Sequence, residues 1–178
     1  MAIEAAEECA VLGNARTEAV TYIYLADILR LTGDLPGAEA AARRGAEILT
    51  DTPPLRPYAA AMLCRVLLTQ GRVPEALESA RRARELAAAL IHTGEHLEGG
   101  ESLVYLVHAE ALEASGDHEG AHAAMVLARD RLQDHAARIS NLAWRASFLE
   151  NVPENARTLA LAREWLESAW RQPRRGHP

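Results

Sequence analysis

The chain has 178 residues, a formal net charge of -6, 49% hydrophobic residues and only 4% aromatic ones, and all 19 of its basic residues are arginine. That length suits one domain with a sizeable core, and the acidic balance argues against a nucleic-acid partner, including an arginine-rich adaptor. No apolar run reaches the roughly 18 residues a membrane-spanning helix needs, and the opening MAIEAAEECA lacks the basic start and apolar stretch of a signal peptide.

Residues 2–12 carry an apolar stripe through Ile3, Ala6, Cys9 and Ala10, and Gly13 ends it as a helix cap would. A second helix is predicted over 16–32, where Tyr22, Leu25, Ala26 and Leu29 share a face. Gly33-Asp34 turns the chain, and Pro36 suits the first turn of a helix running to about Leu49. Asp51-Thr52-Pro53-Pro54 stops it, because proline cannot continue a helix. Tyr58, Leu63, Cys64 and Leu67 line the next helix, Gly71 turns, and residues 74–91 form its partner. His92 to Gly100 (HTGEHLEGG) reads as a loop. A third unit pairs 101–115 with 118–136. In a fourth hairpin, Ser140 or Asn141 caps a short helix carrying Leu142, Trp144 and Phe148, and Pro153 starts a last helix striped by Leu159, Ala162, Leu166 and Ala169. No alternation of strand type persists anywhere. Residues 171–178, with Arg171, Arg174 and Arg175, read as a flexible basic tail.

One phrase recurs: GDLPGAEAAA from Gly33, GRVPEALESA from Gly71 and GDHEGAHAAM from Gly116, at spacings of 38 and 45 residues. Repeats of this period are helical hairpins that bury their apolar faces only by stacking. The expected fold is therefore an all-α, right-handed solenoid of about eight helices with one continuous core over residues 2–170, its hairpins at about 16–50, 56–91, 101–136 and 140–170, preceded by the lone helix 2–12. Roughly a fifth of the residues are alanine, so the helices must approach closely on small side chains.

The units resemble the tetratricopeptide repeat. The residues that carry the likeness are Tyr22, Leu25, Ala26, Leu29, Gly33, Ala38 and Gly45 in the first unit, then Ala60, Leu63, Cys64, Leu67, Gly71, Ala76 and Ala83. In the third they are Tyr105, His108, Ala109, Leu112, Gly116, Ala121 and Ala128, with His108 standing where the family has leucine. The ending SFLENVPENARTLALAREWL, Ser147 to Leu166, resembles the close of the repeat region in large bacterial serine/threonine protein kinases that also carry an ATPase-like module, and the likeness spans residues 2–169. It implies a kinase-associated regulatory segment, not a kinase: the glycine-rich loop, HRD and DFG motifs are absent, and the chain has no lysine.

The chemistry-bearing motifs are few. His118-Glu119-Gly120-Ala121-His122 reads H-E-x-x-H, which on a helix can place two histidines on zinc with the glutamate as base; a zinc-dependent hydrolase is the alternative function. Against it, the five residues occupy the register of LPGA and VPEA in the other copies, at the first turn of a helix, with no downstream third-ligand pattern. No cofactor is expected. Cys64 fills a small-residue slot, and buried free thiols in a reducing, cytoplasmic setting are the expectation for Cys9 and Cys64. In tetratricopeptide superhelices the first helix of each pair lines the concave groove. Here that register shows Ile23, Tyr24, Asp27 and Arg30, then Tyr58, Ala61, Met62 and Arg65, then Leu106, Glu110 and Glu113. The expected function is a non-catalytic scaffold holding a protein or peptide ligand in that groove, with partner basic groups toward Glu110 and Glu113. Self-association through the unfinished N-terminal helix is also expected.

Overall fold

The computed structural model describes residues 14–168. The predicted lone helix 2–12 and the tail 171–178 lie outside the described residues. Among the described residues, eight α-helices follow one another: α1 (Ala15–Thr32), α2 (Leu35–Ile48), α3 (Arg56–Thr69), α4 (Val73–His92), α5 (Glu101–Ala114), α6 (His118–Ala137), α7 (Leu142–Glu150) and α8 (Pro153–Ser168). Two short 3-10 turns, Leu49–Asp51 and Pro53–Leu55, join α2 to α3. Among the described residues there is no strand, and the architecture is an all-α helical-hairpin repeat of tetratricopeptide type.

The recurring phrase is a turn with two jobs. Gly33, Gly71 and Gly116 adopt positive φ of 90°, 73° and 86°, a region that costs any residue with a Cβ. The next residue starts the second helix. Asp34 Oδ1 accepts from the Gly37 amide at 3.0 Å, and Asp117 Oδ1 accepts from the Gly120 amide at 2.9 Å; each aspartate satisfies an amide that the helix start leaves free. A methyl on Gly37 or Gly120 would overlap the capping carboxylate. The second unit has Arg72 in the capping position; it makes no side-chain cap and pairs with Glu75 instead.

Stacking follows one rule for three units. Each first helix packs on both helices of the unit before it: α3 on α1 and α2, α5 on α3 and α4. The second helices turn an alanine stripe inward, with Ala76, Ala80, Ala83 and Ala87 of α4 fully buried. Close approach is direct: Ser79 Oγ donates to the Ala60 carbonyl at 2.9 Å, side chain of α4 against backbone of α3.

One prediction needs correction. Among the described residues, most buried side chains fall into two clusters rather than one continuous core. They meet on α5, whose Leu103, Val104, Val107 and Ala111 face the first two units while Tyr105, Leu106 and Ala109 face α6 and α8. The fourth hairpin, which lacks the glycine phrase, packs differently from the others. α7 buries no residue, and Leu142 and Trp144 are 75% and 71% exposed. Leu142 and Trp144 are two positions apart, which on a helix points them in nearly opposite directions. It is α8 that packs on α5 and α6, burying Asn155, Thr158, Leu161 and Ala162. α8 thus occupies the place of a first helix, and α7 is a strap leading to it.

Candidate protein-interaction groove

The first helices present a groove of two connected clefts that share Arg65 and Pro153. One, of about 450 Å³, lies between Tyr24 and Asp27 of α1, Tyr58, Met62 and Arg65 of α3, Leu103 of α5, the loop Glu98–Gly100 and the turn Asn151–Glu154. The other, of about 620 Å³, is bounded by Arg30, Arg65, Leu68, Thr69, Glu110, Glu113, Arg157 and Trp165. A third cleft, of about 370 Å³, opens elsewhere, between Arg43, Arg56, Leu63, Ser79 and Arg82 on α2, α3 and α4.

The structure separates the expected groove residues into three groups. Tyr24, Asp27, Arg30, Tyr58, Arg65, Glu110 and Glu113 all border these clefts. Met62 borders one but is almost wholly buried, so it supplies floor and little contact surface. Ile23, Ala61 and Leu106 are fully buried, which corrects the expectation that they face the groove: neighbouring helices cover them.

The groove's charges are mostly tied to one another. Asp27 Oδ1 accepts from Arg30 Nε at 2.9 Å and Nη2 at 2.8 Å, and lies 3.6 Å from Arg65 Nη1. Glu110 Oε1 is 2.5 Å from Arg157 Nε of α8, and Glu113 Oε1 is 3.0 Å from His118 Nδ1. Glu98 pairs with Arg16. The two carboxylates expected to meet a basic partner, Glu110 and Glu113, are therefore engaged within the chain. Tyr58 lies against the backbone of Gly100, where any Cβ would overlap its ring. Burial, with Tyr24 and Glu154 nearby, pushes the Tyr58 hydroxyl up to about 12, so it stays a protonated donor.

The histidines and the cysteine take quiet places. His118 is exposed and turned to Glu113, whose carboxylate raises the imidazole's pKa. His122 Nε2 is buried without a hydrogen-bond partner in the described structure. No group of three His, Cys, Asp or Glu side chains that could hold a metal occurs among the described residues, so the H-E-x-x-H pair has no third donor there. His108 is half-buried, and desolvation with Arg84 and Arg81 nearby lowers it to about 4. Cys64 is fully buried, its thiol pushed up to about 12 chiefly by burial. Its sulfur reaches the Val107 carbonyl at 3.8 Å across the α3–α5 interface.

Glu98, Pro153, Glu154, Arg157 and Trp165 belong to the groove and were missed from the sequence. The signal was present: Leu161-Ala162-x-x-Trp165 repeats the first-helix pattern of Leu25-Ala26-x-x-Leu29 and Leu63-Cys64-x-x-Leu67. That register marks α8 as a first helix and places its N-terminal turn on the groove.

Fold and groove together are those of a helical-hairpin repeat of tetratricopeptide type. The family model described as tetratricopeptide repeat matches residues 19–44 and 57–82. The two matches span most of α1 with α2, and of α3 with the first half of α4. No curated protein matches the chain. Among the described residues, no helix is long and apolar enough to cross a membrane.

Proposed function

We propose that this chain is a non-catalytic scaffold that holds an extended or helical protein segment in the groove of its first helices, and that it works as a regulatory repeat segment of a bacterial, cytoplasmic signalling protein of the serine/threonine kinase type. The observation that carries the binding reading is the convergence of Tyr24, Tyr58 and Arg65 on one cleft with apolar walls. Tyrosine and arginine dominate interface hot spots because each brings a large contact area and directional donors. The kinase context rests on the resemblance of Ser147 to Leu166 alone. A pull-down with the chain as bait supplies the partner. Tyr58→Ala and Arg65→Glu should then each weaken binding by about 1 kcal/mol or more with the fold intact by circular dichroism. Full binding in both variants, with loss on mutating α2 or α4, would move the site to the other face.

A second reading, self-association at the N-terminal end, has its own support. Tyr24 and Ile28 are 58% and 50% exposed, whereas their register equivalents Met62 and Val66 of α3, and Val107 and Ala111 of α5, are buried against the preceding unit. α1 therefore presents an apolar face that a neighbouring helix covers elsewhere in the array. Light scattering across a concentration series, on the wild type and on Ile28→Glu, tests it: association lost in the variant supports the reading, and a strict monomer throughout refutes it.

A further inference from the structure

Ion pairs account for most carboxylates around the Tyr58 cleft. Asp27 is held by Arg30 and Arg65, and Glu98 by Arg16. Glu154 is different. It stands in the first turn of α8, lines the same cleft, and forms no ion pair among the described residues. Its charge is felt by the Tyr58 hydroxyl. The hydroxyls of Tyr24 and Tyr58 likewise make no hydrogen bond among the described residues. Val20, Leu55, Met62, Leu103 and Val152 supply apolar walls, and Arg65 and Asn151 also line the cleft.

Two aromatic rings, aliphatic walls and one carboxylate with no ion pair among the described residues, in a cleft of about 450 Å³, complement a cation on an aliphatic stem. A basic side chain satisfies every feature at once: its methylenes lie along apolar surface, its head gains from aromatic faces, and the charge meets the carboxylate in a charge-assisted hydrogen bond. Two alternatives fit less well. An acidic side chain would meet Glu154 with like charge. A purely apolar one would cover Glu154 and the two hydroxyls without satisfying them, which costs their desolvation.

The geometry points to the cleft between Tyr24, Tyr58 and Glu154 as a receptor for one lysine or arginine side chain of the bound segment. This rests on the groove-binding reading and sharpens it. The basic residue goes to Glu154, because Arg157 and His118 already occupy Glu110 and Glu113. Arg65, whose ion pair to Asp27 spans 3.6 Å, has further guanidinium N–H groups that can donate to a carbonyl of the same segment.

The probe is a phage-displayed library of random linear peptides panned on the full chain. The enriched sequences should share a lysine or arginine at one position with apolar neighbours. Synthetic peptides of that consensus should lose about tenfold in affinity to Glu154→Gln, in line with a hydrogen bond to a charged group. Replacing the peptide's basic residue with norleucine should cost about the same, and combining both changes should cost no more than either alone. Glu154→Lys should turn selection toward Asp or Glu at that position. Peptides lost with Tyr58→Ala but indifferent to Glu154→Gln, or carrying no shared basic residue, overturn this inference and leave the groove reading standing. Peptides that bind Tyr58→Ala as well as the wild type overturn the groove reading itself. A library that yields no enrichment over the Tyr58→Ala background counts against both.

Discussion

Ala83→Leu should be among the most damaging single changes outside the groove, although it adds only apolar atoms at a helical position. Ala83 is fully buried on the inward stripe of α4. One turn earlier on the same face, Ser79 Oγ reaches the Ala60 carbonyl at 2.9 Å, so α4 touches the α3 backbone and leaves no room for three more carbons. Leucine's helix propensity is close to alanine's, so propensity does not decide the sign. Over-packing of a tight core costs about 1–3 kcal/mol. With ~2–4 °C of Tm per kcal/mol for a chain of this size, the loss should be roughly 4–8 °C if the cost is about 2 kcal/mol. The assay is thermal denaturation followed by far-ultraviolet circular dichroism. Ala88→Leu, exposed on the same helix, is the control and should stay within about 0.5 kcal/mol. If Ala83→Leu melts within a degree of the wild type, α3 and α4 are not packed through small residues and the account of the repeats is wrong.

Trp144→Ala should change stability by less than about 0.5 kcal/mol in a denaturant titration, because Trp144 is 71% exposed on a helix that buries nothing; a loss of several times that would mean α7 packs as an ordinary repeat helix. Cys64 should resist Ellman's reagent at pH 8 in the native state and react once denatured, since its thiol is buried and held up to about 12; native labelling of Cys64 found by mass spectrometry would refute this. His108, whose folded pKa is lowered from 6.5 to about 4, binds its proton more readily when unfolded. Its contribution to pH dependence is therefore stability that is complete above about 6.5 and falls as pH drops toward 4. His108→Leu should flatten the dependence of stability on pH across that window, and an unchanged slope would show that the imidazole is solvated when folded.

The three repeated units were legible because their turn chemistry is written locally. A positive-φ glycine followed by a helix-capping aspartate fixes where one helix ends and the next begins, and Gly33-Asp34 and Gly116-Asp117 state this in the sequence. The packing of the last helices was less legible because they lack that phrase. Trp144 and Leu142 stand two positions apart, a spacing that keeps them off a common buried face. α8 carries the first-helix pattern at Leu161-Ala162-x-x-Trp165 but no glycine turn beside it. The groove was half legible for a related reason. Register alone put Tyr24, Asp27, Tyr58 and Arg65 on one face, whereas Glu98 and Glu154 reach it from a loop and a helix start whose placement depends on how units stack. Pairing was not legible at all: that Arg157 meets Glu110 across 47 positions follows from α8 packing on α5.

The central claim is that the first helices bind a protein segment through the Tyr24–Tyr58–Glu154 face. Hydrogen–deuterium exchange on the chain, free and saturated with a peptide enriched from the library, tests it most directly. The account predicts slowed exchange concentrated in α1, α3, the loop at 97–100 and the turn at 151–154. Protection confined to α2, α4 and α6, with those four segments unchanged, would contradict it.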